Sequence, residues 1–178
     1  MRRADEAPGY VVPAEQTEIS SAARDRLKHE FLGSLEGAGF GSDGEEAYAV
    51  SLAIDFCADY VDGRPLRWSP TVVELFMADW IPRKVLGDAE LFARLPTALD
   101  AWVRFAGRKS NLPEWAIAAT SAAIPQWYEA MLGRSEDPAA AGPAKQFIAA
   151  ARAAGIDLAD EDALNTFVAG WNARSQVV

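Results

Sequence analysis

Apolar side chains recur every three or four residues along most of the chain, which is the spacing of one face of an α-helix. The first helix is predicted at 20–36, where three apolar residues lie four positions apart: Leu27, Phe31 and Leu35. Gly37 and Gly39 follow this series and are expected to end the helix. No segment alternates apolar and polar residues for long enough to predict a β-strand.

The second and third predicted helices carry the densest apolar patterns. The second spans 43–62 with Asp43 as its N-cap, and its polar residues form one narrow stripe: Ser51, Asp55, Asp59 and Asp62. The third spans 70–81 and begins at Ser69-Pro70, an N-cap followed by a proline at the first helical position. It is apolar nearly all round, so we expect it to be the most buried helix, and Pro82 should end it.

Prolines and glycines divide the rest of the chain into further helices. A short helix is predicted at 88–94, and four later segments begin or bend at a proline: Pro96, Pro113, Pro125 and Pro143. Pro125 either kinks a helix or starts a new one, which Gly133 ends. The helix from Pro143 should stop at Gly155, and Asp160 caps the last helix.

These segments predict an all-α protein, with a flexible arm at 1–19 and a single domain at 20–178 built as a bundle of about eight helices. The composition agrees, because 50% of the 178 residues are hydrophobic, which is typical of a folded chain. Six tryptophans recur near apolar helical positions and are predicted to pack in the core: Trp68, Trp80, Trp102, Trp115, Trp127 and Trp171. No apolar run approaches the ~20 residues that span a bilayer, and no export signal follows Met1, so we expect a cytoplasmic protein.

The scarcity of cysteine and histidine restricts the chemistry. Cys57 is the one cysteine, which excludes an intrachain disulfide and a thiolate zinc cluster, and its apolar neighbours predict a core position. His29 is the one histidine, which excludes a multi-histidine metal site, and its polar neighbours predict a solvated helix position. No nucleophile elbow or glycine-rich phosphate loop is present, so we predict no catalytic residue, no bound metal and no cofactor.

The formal net charge of −9 disfavours binding of the whole protein to nucleic acid or to anionic lipid. Residues 63–109 differ from the rest, because they hold 8 lysines and arginines against 5 acidic residues. Five of these cations are candidates for one binding surface for an acidic protein or a phosphate: Arg83, Lys84, Arg104, Arg108 and Lys109. The alternative is that Arg104 and Arg108 form a solvated helix face paired with Asp100.

Two groups of carboxylates are further candidates. Glu74 and Asp79 interrupt the most apolar helix, where a buried charge needs a partner. They predict either a structural ion-pair network with nearby arginines or a small pocket for an anionic or polar ligand. The stripe of the second helix, with Glu45 and Glu46 before it, suits a hard cation such as Mg²⁺ or is simply the wet edge of that helix.

Three stretches of the chain resemble a helical family from actinobacteria: Arg67-Trp68-Ser69-Pro70 through Glu74-Leu75-Phe76, then Asp79-Trp80-Ile81-Pro82-Arg83-Lys84, and Trp102-Val103-Arg104-Phe105-Ala106. The resemblance covers about residues 64–172. It implies a helical domain to which no chemistry is assigned, so it identifies no functional residue.

The segregated charge and the scarcity of catalytic residue types predict a protein-interaction or regulatory module rather than an enzyme. Two alternatives remain open. One is a carboxylate-dependent hydrolase, with or without Mg²⁺, that uses Asp55, Asp59, Glu45 or Glu46. The other is weak association with nucleic acid through the basic residues.

Overall fold

The computed structural model describes residues 19–175, with side chains through Trp171, and every regular element in this part of the chain is a helix. The all-α prediction is confirmed. The arm predicted at 1–19 lies outside the described residues except for Ile19. Seven continuous helical segments follow: α1 (Ser21–Leu32), α2 (Glu45–Phe56, extended by a π turn at Cys57–Val61), α3 (Pro70–Glu74, a π turn at Leu75–Trp80, then Ile81–Lys84), α4 (Ala89–Lys109), α5 (Glu114–Glu136), α6 (Pro143–Ala153) and α7 (Glu161–Ser175).

The described segments number seven rather than about eight because Pro96 lies inside a helix instead of starting one, and Pro125 also lies inside a helix, as one of its two alternatives predicts. Pro96 is within α4, which joins the short helix predicted at 88–94 to the next one, and Pro125 is within α5, which continues past Gly133. A proline removes one backbone donor, but apolar side chains on both sides of Pro96, such as Leu95 and Leu99, are buried. Tertiary packing therefore keeps each helix continuous.

Helix α1 ends at Leu32, earlier than predicted. The Ser34 hydroxyl donates to the Phe31 carbonyl at 2.6 Å, and the chain then folds back over that carbonyl. Gly37 makes the close approach feasible, since a Cβ there would collide with the Phe31 carbonyl group. Leu35 consequently lies in the turn and is 83% exposed, so its predicted place on the buried face is wrong.

Helix α3 passes through Pro82 and ends at Lys84, so the prediction that Pro82 ends it is wrong. Three donors from later parts of the chain bind carbonyl oxygens at this end of α3: Arg134 to Ala78 at 2.6 Å, Lys145 to Pro82 at 2.8 Å, and the Gly142 amide to Arg83 at 3.0 Å. The donors from Lys145 and Gly142 satisfy two of the carbonyls that the end of a helix leaves free. Burial lowers the pKa of Lys145 from its ordinary value.

The core lies where α2, α3, α4 and α5 meet, with α1 packed on α2. Trp102 is fully buried, and its ring centre lies 5.6 Å from that of Phe31. Trp68 and Trp80 are buried as predicted, and the tryptophans at 127 and 171 are half-buried. Trp115 is 75% exposed, so the prediction that it packs in the core is wrong.

Helices α6 and α7 form the outer layer of the described structure. Helix α6 packs on the last turn of α3, and α7 packs on α6. Three aromatic rings join these two helices, with ring centres 5.5–6.2 Å apart: Phe147, Phe167 and Trp171. No helix in the described part of the chain is both long and apolar enough to cross a membrane.

Candidate binding groove

Helices α2 and α3 each contain a π turn, and the two turns are joined by aromatic contacts. The Asp62 amide donates to the Cys57 carbonyl and the Ile81 amide to the Phe76 carbonyl, each five residues back rather than four. π turns within α-helices are rare and frequently mark functional sites. The Tyr60 and Trp80 ring centres are 5.5 Å apart in an edge-to-face arrangement, so side chains from both turns meet.

A groove of about 470 Å³, which we call the aromatic groove, opens between these two turns. Its apolar walls come from both helices: Phe56, Tyr60, Val61, Leu75 and Trp80. Phe56 and Trp80 are buried and form the floor, whereas Tyr60 and Leu75 are 54% and 47% exposed. The two exposed side chains present apolar surface to solvent at the edge of the groove.

Three charged residues complete the lining: Asp79, Arg83 and Lys84. The Arg83 guanidinium lies 3.1 Å from the Asp79 carboxylate, one helical turn away. The Lys84 ammonium lies 5.5 Å from the centre of the Tyr60 ring, within the range of a cation–π interaction. The groove therefore carries one net positive charge on a protein whose formal net charge is −9.

Each of the two π turns contains one buried polar group. Cys57 is fully buried, and burial raises the pKa of its thiol, so the thiol is protonated and unsuited to nucleophilic chemistry. This confirms its predicted core position. The Trp80 indole N–H has no hydrogen-bond partner among the described residues. The arrangement offers aromatic surface and cationic donors, which suit binding better than bond cleavage.

The structure brings three of the seven predicted site residues together, since Asp79, Arg83 and Lys84 line the same groove. Glu74 lies on the same helix but is not part of that lining. Both Glu74 and Asp79 are exposed, so the expectation that they are buried charges is wrong. The outer face of α3 is open to solvent, and Asp79 pairs there with Arg83 of the same helix, whereas the ion-pair alternative expected a network between this helix and its neighbours.

The other three predicted cations each contact a carboxylate elsewhere. Arg104 lies 2.8 Å from Asp100 on α4, and this pairing raises the pKa of Arg104. Lys109 lies 2.6 Å from Glu30 on α1, and Arg108 contacts Glu36 in the turn after α1. Four of the five cations are thus neutralised by acidic neighbours. The described structure does not present the five as one patch of unpaired positive charge.

The acidic stripe of α2 pairs with an arginine that is not among the predicted site residues. Arg24 of α1 lies 2.8 Å from an oxygen of Asp55 and donates to Asp59 at 2.8 Å. These hydrogen bonds lower the pKa of Asp59 and raise that of Arg24. Further along, Asp62 pairs with Arg67 at 2.9 Å. Glu46 pairs with Arg94 at 3.1 Å. The described residues contain no group of three or more His, Cys, Asp or Glu side chains that could hold a metal ion.

His29 is exposed on α1, as predicted, and its ring Nδ1 lies 3.2 Å from the Asp25 carbonyl. Arg24 lay in the same polar stretch of sequence, where nothing distinguished it from its solvated neighbours. The contact between Tyr60 and Trp80 does not follow from an α-helical period, because each residue lies in a π turn, where that period is interrupted. A proline inside an otherwise apolar helix, as at Pro82, was the available signal that the period breaks there.

No family model, curated protein or solved structure matches the chain. The resemblance to an actinobacterial helical family therefore stays a prediction.

Proposed function

We propose that the protein is a single-domain, cytoplasmic interaction module that binds an acidic, amphipathic segment of a partner protein in the aromatic groove. The observation that carries the proposal is the position of Arg83 and Lys84 beside the exposed Tyr60 ring. Apolar surface and positive charge occur there within one concave site. A segment that carries both apolar side chains and carboxylates would satisfy both features.

The apolar part of the groove supplies binding free energy. Tyr60 and Leu75 are about half exposed, and covering them removes apolar area from water. Each 100 Å² of apolar area so covered stabilises a complex by about 2.5 kcal/mol before the cost of ordering the partner. The volume of about 470 Å³ accommodates a few side chains rather than a whole domain.

The charged part of the groove supplies selectivity. Among the described residues Arg83 is paired only with the exposed Asp79. This surface ion pair contributes less than about 1 kcal/mol and exchanges readily for another carboxylate. The planar guanidinium can hold a carboxylate with two parallel hydrogen bonds, and Lys84 adds a second charge nearby. Like charges on a basic partner would meet repulsion at the same place.

The two alternative functions find less support in the described residues. The carboxylates required by the hydrolase alternative include Asp55 and Asp59, which both accept hydrogen bonds from Arg24. Nucleic-acid association needs unpaired cations, whereas Arg104, Arg108 and Lys109 each have an acidic neighbour. Both alternatives stay predictions that activity and binding assays can address.

The test is a fluorescence-anisotropy titration with two labelled probe peptides of equal length, one of alternating leucine and glutamate pairs and one with lysine replacing glutamate. We expect the acidic probe to bind, and Tyr60→Ala and Lys84→Glu each to weaken binding about tenfold, which corresponds to 1.4 kcal/mol. Tyr48→Ala is the matched control, because Tyr48 is a similarly exposed tyrosine of α2 outside the groove. Equal binding of both peptides, or equal losses in Tyr60→Ala and Tyr48→Ala, would show that the proposal is wrong.

A further inference from the structure

A second groove, larger than the first, lies between α4 and α5 and encloses about 730 Å³. One proline from each helix lines it, Pro96 from α4 and Pro125 from α5, so we call it the proline groove. The lining positions of each helix follow helical spacing, and three of them are alanines: Ala93, Ala118 and Ala122. Small side chains on two facing helix surfaces leave the space open.

We propose that the proline groove is a second binding site, for a small, neutral, largely apolar molecule that carries a hydrogen-bond donor such as a hydroxyl group. The volume lies within the range of about 300–1,000 Å³ that is usual for small-molecule sites. Two properties of the lining residues indicate the chemical class of the ligand: the hydrogen-bond acceptors that they offer and the balance of their charges.

The prolines leave backbone acceptors without their usual donors. In a continuous α-helix the carbonyl of each residue accepts from the amide four residues later, and proline has no N–H to give. Pro96 therefore cannot serve the carbonyl of Phe92, and Pro125 cannot serve that of Ser121. Ser121 itself lines the groove, so its carbonyl is the acceptor offered to a ligand, whereas Phe92 is not part of the lining. A ligand hydroxyl can donate to such an acceptor, whereas a carboxylate cannot.

Ser121 provides a second, independent observation. Its side chain is nine-tenths buried and lines the groove, and its hydroxyl has no hydrogen-bond partner among the described residues. A buried hydroxyl without a partner lowers stability relative to a satisfied one, so such groups usually have a reason to be present. Binding of a polar ligand group within reach of this hydroxyl would supply the missing partner.

The charges at the edge of the groove make a neutral ligand the best match. Asp100 and Arg104 both line it and neutralise each other, with 2.8 Å between carboxylate and guanidinium. A cationic ligand would meet Arg104 and an anionic ligand would meet Asp100, so neither is favoured overall. This balance differs from the net positive charge of the aromatic groove, and the two sites should therefore select different ligands.

The test uses ¹H–¹⁵N NMR titrations of the full chain with three probes of similar apolar size: 2-(1-naphthyl)ethanol, 1-ethylnaphthalene and 1-naphthylacetate. We expect the alcohol to shift amide signals of 93–104 and 118–128 and to bind at least fivefold more tightly than either other probe. Equal affinity for the alcohol and the hydrocarbon would overturn the assignment of the ligand class. Absence of shifts at these positions would overturn the site.

Four variants localise the effect. Ala122→Leu fills the groove and should abolish binding of the alcohol, whereas Ala119→Leu changes an exposed alanine of α5 outside the groove and should not. Ser121→Ala should weaken binding of the alcohol without lowering the melting temperature, because it removes a hydroxyl that has no partner in the described part of the chain. Equal binding by Ala122→Leu and the unchanged protein would contradict the proposal. Tyr60→Ala should leave this binding intact, which separates it from the aromatic groove.

Discussion

The guanidinium of Arg134 donates a hydrogen bond to the backbone carbonyl of Ala78, with 2.6 Å between nitrogen and oxygen. Ala78 is four residues before Pro82, so its carbonyl is the one that an amide at position 82 would serve in an α-helical turn, and proline has no amide N–H to donate. An arginine from α5 thus replaces the backbone bond that Pro82 removes from α3. The continuity of α3 through Pro82, and with it the position of Arg83 and Lys84, depends partly on this contact.

Arg134→Met removes this hydrogen bond and should destabilise the fold by about 1.5 kcal/mol. This value is the lower end of the range for hydrogen bonds to a charged group, and we choose it because Arg134 is exposed. Chemical denaturation followed by circular dichroism measures the change. Arg26→Met, which alters an exposed arginine of α1, is the matched control and should change stability by less than about 0.5 kcal/mol.

A double-mutant cycle with Pro82→Ala tests the stated reason for that loss. Alanine at 82 restores an N–H four residues after Ala78, so the carbonyl no longer depends on Arg134. We expect Arg134→Met to cost at least about 0.5 kcal/mol less in the Pro82→Ala background. The same cost in both backgrounds would mean that Arg134 acts for another reason.

Gly142→Ala should destabilise the contact between α3 and the chain before α6. A Cβ at 142 would lie 2.9 Å from the Arg83 carbonyl oxygen, and this oxygen also accepts from the Gly142 amide. We expect a loss of about 1–3 kcal/mol from this overpacking. Gly133→Ala is the matched control, because a Cβ there meets nothing within 4 Å and should stabilise α5 by about 0.5–1 kcal/mol. Equal effects of the two changes in thermal melts would contradict the geometry.

The ion pairs of Arg24 should make stability depend on pH in the acid range. Arg24 lowers the pKa of Asp59 below its ordinary value of 3.8, so the unfolded chain takes up the proton more readily than the folded chain. The stabilisation of the fold by the Arg24–Asp59 ion pair is complete above that ordinary value. It disappears as the pH falls through the lower pKa of Asp59 in the folded state. Asp59→Asn should therefore lower the free energy of unfolding by about 1 kcal/mol at pH 7 and by much less near pH 2. The value at pH 7 is reduced to account for the partial exposure of Asp59.

Thermal melts at several pH values measure this difference between Asp59→Asn and the unchanged protein. Asp43→Asn serves as the control, since Asp43 is an exposed residue in the turn before α2. A destabilisation by Asp59→Asn that is the same at pH 7 and pH 2 would exclude protonation as its cause.

The most buried and the most exposed of the described tryptophans should differ in how much their truncation lowers stability. Trp102→Ala removes a fully buried ring next to Phe31 and should cost about 3–5 kcal/mol. Trp115→Ala removes a ring that is 75% exposed and should change stability by less than about 0.5 kcal/mol. Urea denaturation of both variants measures the contrast, and a large loss in Trp115→Ala would show that this ring is covered in solution.

The thiol of Cys57 should be unreactive in the native protein. The thiol is buried, and burial also raises its pKa, so a thiol reagent such as 5,5′-dithiobis(2-nitrobenzoate) meets neither an accessible sulfur nor a thiolate. We expect labelling to follow global unfolding, at least a hundredfold slower in buffer than in denaturant. Rapid labelling of the native chain would reveal local opening at the π turn of α2.

The sequence predicted the fold class and most helix starts, because these depend on local chemistry. Ser69 and Asp88 act as N-caps, accepting from the amides of Val72 at 3.3 Å and Leu91 at 2.9 Å. Asp160 caps the last helix as expected. The start of α2 was misplaced slightly, since Gly44 rather than Asp43 precedes its first turn.

The candidate site was only partly predictable, because it depends on contacts between residues far apart in the chain. The charges of Arg83 and Lys84 were visible, but their placement beside Tyr60 requires the π turn of α2. The pairing of Arg24 with Asp55 and Asp59 joins residues 31 and 35 positions apart. No local pattern distinguishes such an arginine from a solvated one.

The π turns also have an evolutionary consequence. A π turn closes its hydrogen bond over one residue more than an α turn, and one residue corresponds to about 100° of rotation around a helix. Deletion of a single residue within 57–61 or 75–80 would turn the rest of that helix away from its present partner. Relatives that lack the aromatic groove should therefore differ by one-residue gaps at these places, and the groove would be gained or lost by insertion and deletion rather than by gradual replacement of side chains.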